Sequence, residues 1–172
     1  MQIIVDTLAN GQSARVGVRH GEQHLLAGTM QQIEQVFELR NVNFSYNSST
    51  GGYFIYRTLN PQIYASDNIL IYRMSDVIDS NTPVWQLIPR TLYLSGGDEL
   101  DYDYDFSRED FTIYADGTYN LASTPQYINN QTFRIVIIPG YFSNRSAQQI
   151  DFNDYDAVIQ AYGINPNNIK SL

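Results

Sequence analysis

The run Asp98-Glu99-Leu100-Asp101-Tyr102-Asp103-Tyr104-Asp105-Phe106-Ser107-Arg108-Glu109-Asp110-Phe111 begins with acids alternating with apolar and aromatic residues at a period of two. On an extended strand that period puts Leu100, Tyr102, Tyr104 and Phe106 on one face and Asp101, Asp103 and Asp105 on the other. The reading is a half-buried strand: rings toward a core, carboxylates toward water, lying at a sheet edge that its charges keep unpaired. Ser107 to Asp110 then form a turn. The competing reading is a calcium loop in which Asp101, Asp103, Asp105 and Asp110 give oxygen ligands to a hard cation. The match to an EF-hand-like loop is incomplete, because Phe106 stands where that loop needs Gly and Thr112 where it needs a closing Glu. Three acids on an extended strand are also spread too far along it to surround one ion unaided.

Outward from this run the chain carries regularly spaced β-prone segments: Val36 to Tyr46, Tyr53 to Leu59, Asn68 to Met74, Val84 to Tyr93, Phe111 to Tyr114 and Thr132 to Ile138. Turn chemistry joins them at Asn47-Ser-Ser-Thr-Gly-Gly52, Asn60-Pro61, Ser80-Asn-Thr-Pro83, Ser95-Gly-Gly97 and Ala115-Asp-Gly117. Ile69 to Tyr72 and Ile135 to Ile138 are continuous apolar runs, as expected of central strands covered on both faces. Pro89 and Pro139 fall at the ends of β-prone runs, where a missing N–H is tolerated. The pattern predicts an all-β fold, an antiparallel β-sandwich of immunoglobulin-like or jelly-roll-like type.

Two flanking pieces complete the expectation. Ile3 to Leu8 and Ala14 to Val18 read as a hairpin about Asn10-Gly11, with a third short strand at His24 to Ala27 and a polar linker or helical turn over Thr29 to Gln35. The division expected is an N-terminal hairpin or attachment element over residues 1–32 and a sandwich over 33–172. One short C-terminal helix is predicted from about Asp154 to Tyr162, capped by Asn153 or Asp151 and ended by Gly163. Its stripe of Tyr155, Val158, Ile159 and Tyr162 would dock on the sheet, and Ile164 to Ile169 reads as a polar tail.

With 172 residues the chain is long enough for a real core, and with no Cys it has neither disulfides, thiolate metal sites nor a cysteine nucleophile. A net charge of −8 disfavours nucleic acid and an anionic membrane surface as partners. Lys170 is the only lysine among ten basic residues, which reads as composition bias. No stretch is long and apolar enough for a transmembrane helix, and Met1-Gln-Ile-Ile-Val-Asp6 lacks the features of a signal peptide. Either the chain stays in the cell that makes it or Met1 is not the native start.

Catalytic machinery is thin. His20 and His24 stand four apart, a spacing useful for a metal on a helix, but Gly17 and Gly21 argue against a helix there. No serine elbow, phosphate-cradling loop or dinucleotide fingerprint occurs, and acids clustered on one strand do not make the facing pair that glycoside hydrolysis needs. The sequons at Asn43, Asn47, Asn130 and Asn144 are matches expected by chance in an Asn-rich chain. The expectation is a non-enzyme without a cofactor, calcium being the one alternative. Fourteen Tyr and eight Phe nonetheless give rings for contact. Tyr53, Tyr56, Tyr64 and, above all, Tyr72, Trp85 and Tyr93 are candidates for a ligand-binding platform, with Trp85 read equally as a ring packed in the sandwich.

Gln-Val-Phe-Glu-Leu-Arg-Asn-Val-Asn-Phe44, Asn-Ile-Leu-Ile-Tyr-Arg-Met74, Val-Trp-Gln-Leu-Ile-Pro89, Asp-Tyr-Asp-Phe106 and Thr-Phe-Arg-Ile-Val-Ile-Ile-Pro-Gly140 together resemble a β-rich domain of predicted envelope lipoproteins of Bacteroidota. The resemblance covers residues from about 36 onward. It implies a β-rich architecture and an envelope location, and it assigns no catalytic residue. Residues 1–35 depart from the family pattern, with neither a lipid-acceptor Cys nor a Gly-x-y tract. The expected function is a non-catalytic structural or interaction module displayed on a bacterial envelope or a phage particle, with protein partners or self-association. The alternative is a glycan-binding sandwich, with or without calcium.

Overall fold

The structure, a computed structural model, describes residues 3–4, 17–18, 36–140, 150–165 and 168–172. The chain divides into two compact units, Met1–Gln32 and Ile33–Leu172. In the first, β1 (Ile3–Ile4) and β2 (Gly17–Val18) pair antiparallel, Ile3 opposite Val18 and Ile4 opposite Gly17. This register is centred between residues 10 and 11. The turn expected at Asn10-Gly11, the strand His24 to Ala27, the run Thr29 to Gln35, the pair His20 and His24, and the sequon at Asn144 lie outside the described residues.

Among the described residues the second unit is an all-β sandwich of two open five-stranded sheets with one α-helix. Its strands are β3 (Val36–Val42), β4 (Ser45–Tyr46), β5 (Tyr53–Thr58), β6 (Asn68–Val77), β7 (Pro83–Ile88), β8 (Arg90–Tyr93), β9 (Glu99–Phe106), β10 (Asp110–Gly117), β11 (Gln131–Ile138) and β12 (Lys170–Ser171), with the helix α1 (Tyr155–Tyr162) before β12. Sheet I has the order β4-β5-β10-β9-β8 and sheet II the order β12-β3-β11-β6-β7. Among the described residues all pairings of these sheets are antiparallel except that of β12 with β3.

The two continuous apolar runs lie side by side as β6 and β11, with Ile71 opposite Ile135. Their residues are apolar on both faces because both faces are covered. Ile69, Ile71, Phe133, Ile135 and Ile137 face Ile55, Leu100, Tyr102, Phe111 and Ile113 of sheet I in the main core. Leu70, Tyr72, Val136 and Ile138 meet Tyr155, Val158 and Ile159 of α1 in a second core on the other side. Burial at this density, with most of these side chains under a tenth exposed, removes on the order of 1.5–3 kcal/mol of unfavourable hydration per large apolar residue.

Two expected strands each divide between the sheets. Val36 to Tyr46 becomes β3 in sheet II and β4 in sheet I, because Asn41 takes φ 52° and Phe44 turns into the core, its ring 6.1 Å from Tyr102 and 6.0 Å from Phe133. Val84 to Tyr93 becomes β7 and β8, separated at Pro89, which follows a cis peptide bond. The strand β9 is not the expected edge: β10 lines one side of it, and β8 pairs with Glu99 to Tyr102 on the other. Only Asp103 to Phe106 extend past β8, and there Asp103 Oδ1 accepts the Tyr104 backbone N–H at 2.7 Å. The expected polar tail, Ile164 to Ile169, differs in that Ile164 is buried in the second core with Ile169 packed against it, and beyond it Lys170 and Ser171 add a parallel strand beside Phe37 and Glu38. The helix has the expected span, but its cap is Asp154, whose Oδ1 accepts from Ala157 N at 3.0 Å, while Asp151 serves the preceding turn through Asn153 N. Gly163 ends it at φ 63°, a left-handed value that costs glycine nothing.

Candidate functional site

The hairpin of β9 and β10 builds one solvent-facing surface. Its register sets Asp116 opposite Asp101, Tyr114 opposite Asp103 and Thr112 opposite Asp105. The pairing of β10 with β5 continues each row, Tyr114 to Phe54 and Thr112 to Tyr56. The alternate residues Leu100, Tyr102, Phe111, Ile113, Ala115 and Ile55 are buried in the main core, so period two leaves Asp101, Asp103, Asp105, Thr112, Tyr114, Asp116, Phe54 and Tyr56 on the outside of sheet I. Crossing from β5 to β9, the face grades from rings to carboxylates.

A shallow depression of about 650 Å³ lies on this face, lined by Phe54, Tyr56, Tyr114, Asp101, Asp103 and Asp116 among others. A second one of about 460 Å³, with Tyr46 and Tyr119 on its walls, adjoins it at Tyr53 and Asp116. Tyr56 Oη donates to Asp110 Oδ2 at 3.0 Å and Tyr114 Oη to Asp105 Oδ2 at 3.0 Å. The hydrogen bond to Asp110 holds the Tyr56 phenol above its ordinary range. Partial burial, then the bond to Asp105, does the same for Tyr114. Both hydroxyls remain neutral donors at physiological pH.

The four candidate calcium ligands have separate engagements. Asp101 accepts from Thr91 Oγ1, Asp103 from Tyr104 N, Asp105 from Tyr114 Oη, and Asp110 from Ser107 Oγ and Tyr56 Oη. Asp101, Asp103 and Asp105 are spaced along one strand face at about 7 Å per step, and Asp110 lies past the turn. Among the described residues no three acidic or histidine side chains are arranged to hold a metal ion.

Tyr53 and Tyr56 share the larger depression, but Tyr72, Trp85 and Tyr93 form no common exposed platform. Tyr72 is fully buried beneath α1, its Oη donating to Phe152 O at 2.7 Å, so it offers no surface to a ligand. Trp85 packs in the same second core, 5.9 Å from the Tyr155 ring, rather than between the two sheets. Tyr93, 80% exposed, stands on β8 of sheet I, opposite Glu99. Tyr56 belongs to the outer face of sheet I as one of the sequence candidates. Phe54 and Tyr114 were missed, although each sits one residue out of phase with a buried aliphatic, Ile55 and Ile113.

Sheet II carries the described ion pairs, both at Glu38. Arg134 Nε donates to Glu38 Oε2 at 2.8 Å, and its guanidinium lies 4.2 Å from the Trp85 ring centre and 5.0 Å from that of Tyr155. Arg40 meets the other Glu38 oxygen. This cluster fastens α1 to the sheet.

The fold and this face together define an all-β sandwich with an open, ring-bearing acidic surface. No family model, curated protein or solved structure matches the chain. Among the described residues no helix is long and apolar enough to cross a membrane.

Proposed function

We propose that the protein is a non-catalytic structural or interaction module of a displayed assembly, a bacterial envelope or a phage particle, that meets its partner through the outer face of sheet I. The observation that supports this is the depression in which Phe54, Tyr56 and Tyr114 stand toward solvent on the paired strands β5 and β10. Rings on a fixed sheet give contact area with little entropy lost on binding. The resemblance of residues 36 onward to the Bacteroidota envelope domain supplies the location in this proposal. Protein association, including self-association, is the mode of attachment it entails.

Size-exclusion chromatography with light scattering tests it. The full chain should run as a species larger than a monomer, and a Tyr56→Ser/Tyr114→Ser variant with unchanged melting should lose partner binding. The second reading is a glycan-binding module, favoured by the same depression, because rings can stack on sugar faces while carboxylates accept sugar hydroxyls. A stable monomer that binds neutral oligosaccharides on an array would establish that reading in place of the first. Its calcium-assisted form has no assembled ligand set among the described residues.

A further inference from the structure

The outer face of sheet I carries Asp101, Asp103, Asp105 and Asp116, with Glu99 and Asp110 in the same phase of β9 and β10, and its own arginines lie elsewhere. Arg57 pairs with buried Phe111 and Arg90 with buried Tyr102, so period two sends both away from this face. Arg108 is in the β9–β10 turn, where its Nε reaches toward Ile63 O. Both described ion pairs are on Glu38 of sheet II. Asp101 and Asp116 stand directly opposite each other, a like-charge pair that costs stability in a sheet. The charge on this surface is therefore uncompensated within the described residues, and the rings beside it are suited to cover apolar stems or a cation.

We infer that the occupant of this face is an extended polypeptide segment with Lys or Arg at alternate positions, lying along β9. This rests on the reading that the outer face of sheet I is the contact surface. An extended segment presents every second side chain at about 7 Å, the period of Asp101, Asp103 and Asp105 on β9. Each basic head meets a carboxylate, while its methylene stem crosses toward Tyr114, Phe54 and Tyr56. Charge complementarity selects this occupant over a neutral glycan, which would use the rings and leave the like-charged pair unrelieved. The same complementarity speeds encounter with a basic partner and makes it sensitive to salt.

The test uses the full chain and an about eight-residue peptide alternating Lys and Thr, with isothermal titration calorimetry as the readout. Comparison probes are a Lys/Thr peptide of equal charge with its lysines contiguous, a Glu/Thr alternating peptide, and oligomers of glucose and of glucosamine. The alternating Lys peptide should bind at least about tenfold more tightly than the contiguous one. Asp101→Asn/Asp103→Asn, which keeps side-chain shape and relieves the like-charge pair, should lose at least about tenfold in affinity with a melting temperature no lower than that of the parent. Equal binding of the two Lys peptides, an unaffected Asn variant, or tighter binding of the glucosamine oligomer each overturns the inference. Tyr56→Ser/Tyr114→Ser separates the contact surface from the identity of its occupant. If it abolishes partner binding while the Asn variant does not, the face stands and the basic occupant falls; if neither variant matters, both fall.

Discussion

Replacing Arg134 by Met keeps an unbranched stem against Trp85 and Tyr155 but removes the guanidinium. Glu38, whose side chain is 6% exposed, then retains only Arg40, whose own side chain is 71% exposed. Removing one partner of a buried pair costs about 3–5 kcal/mol when the remaining charge is left alone. Arg40 offsets part of that loss, and the ring contacts at 4.2 and 5.0 Å add to it. A net destabilisation of roughly 2–4 kcal/mol follows for Arg134→Met, combining buried-pair and cation–π magnitudes. For a domain of this size it lowers Tm by roughly 4–16 °C, at about 2–4 °C per kcal/mol. Urea unfolding followed by far-UV circular dichroism measures the free energy, and Trp85 fluorescence reports the local packing. Glu38→Gln should relieve the Met variant, so that the double mutant is more stable than the two single losses added together by about 1–3 kcal/mol. A Met variant within about 0.5 kcal/mol of the parent, or strictly additive losses, would refute the view that this pair fastens α1 to sheet II.

Gly140→Ala should destabilise by roughly 1–3 kcal/mol, because the added methyl would run into the backbone and Cβ of Ser66, whereas Gly52→Ala, with nothing within 4 Å, should stay within about 1 kcal/mol in the same denaturation assay. Asp154→Ala removes the acceptor for Ala157 N and should cost about 1 kcal/mol, read as a lower urea midpoint with an unchanged slope. Burial raises the Tyr102 phenol to about 12 and raises Tyr72, Tyr104 and Tyr155 as well. Because the folded state holds these protons more tightly than the unfolded chain, their contribution is fully present below pH of about 10 and is lost as pH rises toward about 12. Phenolate absorbance should therefore appear in two steps, exposed tyrosines first and the buried set together with unfolding; a single smooth titration of all tyrosines in folded protein would contradict the burial.

The sandwich was legible because its core strands are written in local pattern. Ile69 to Tyr72 and Ile135 to Ile138 have apolar side chains on both faces, and only a strand covered twice can use both. The same locality explains the helix, whose stripe of Tyr155, Val158 and Ile159 fixes which side is buried. Other features depended on partners distant in sequence. Nothing around Val36 to Tyr46 shows that Phe44 will enter the core against Tyr102 and Phe133, so the change of sheet between β3 and β4 was hidden. The edge assignment of β9 failed for a related reason: its alternation reports which face is wet, while its lateral neighbour β8 reaches it only after the chain passes Pro89.

The acidic run shows the same limit at the site. Period two was sufficient to turn Asp101, Asp103 and Asp105 outward, and that geometry separates them along the strand rather than gathering them about an ion. It could not reveal that Asp116 would stand across from Asp101, because that pairing is fixed by the length of the Ser107 to Glu109 turn. A turn one residue longer would move the facing set on β10 to the other side of the sheet and put Ile113 and Ala115 in water. The cost of exposing those core residues fixes the register, and the register brings the two carboxylates together. The like-charged pair on the surface is thus a consequence of burying the opposite face, and its repulsion is the local term that a basic partner relieves.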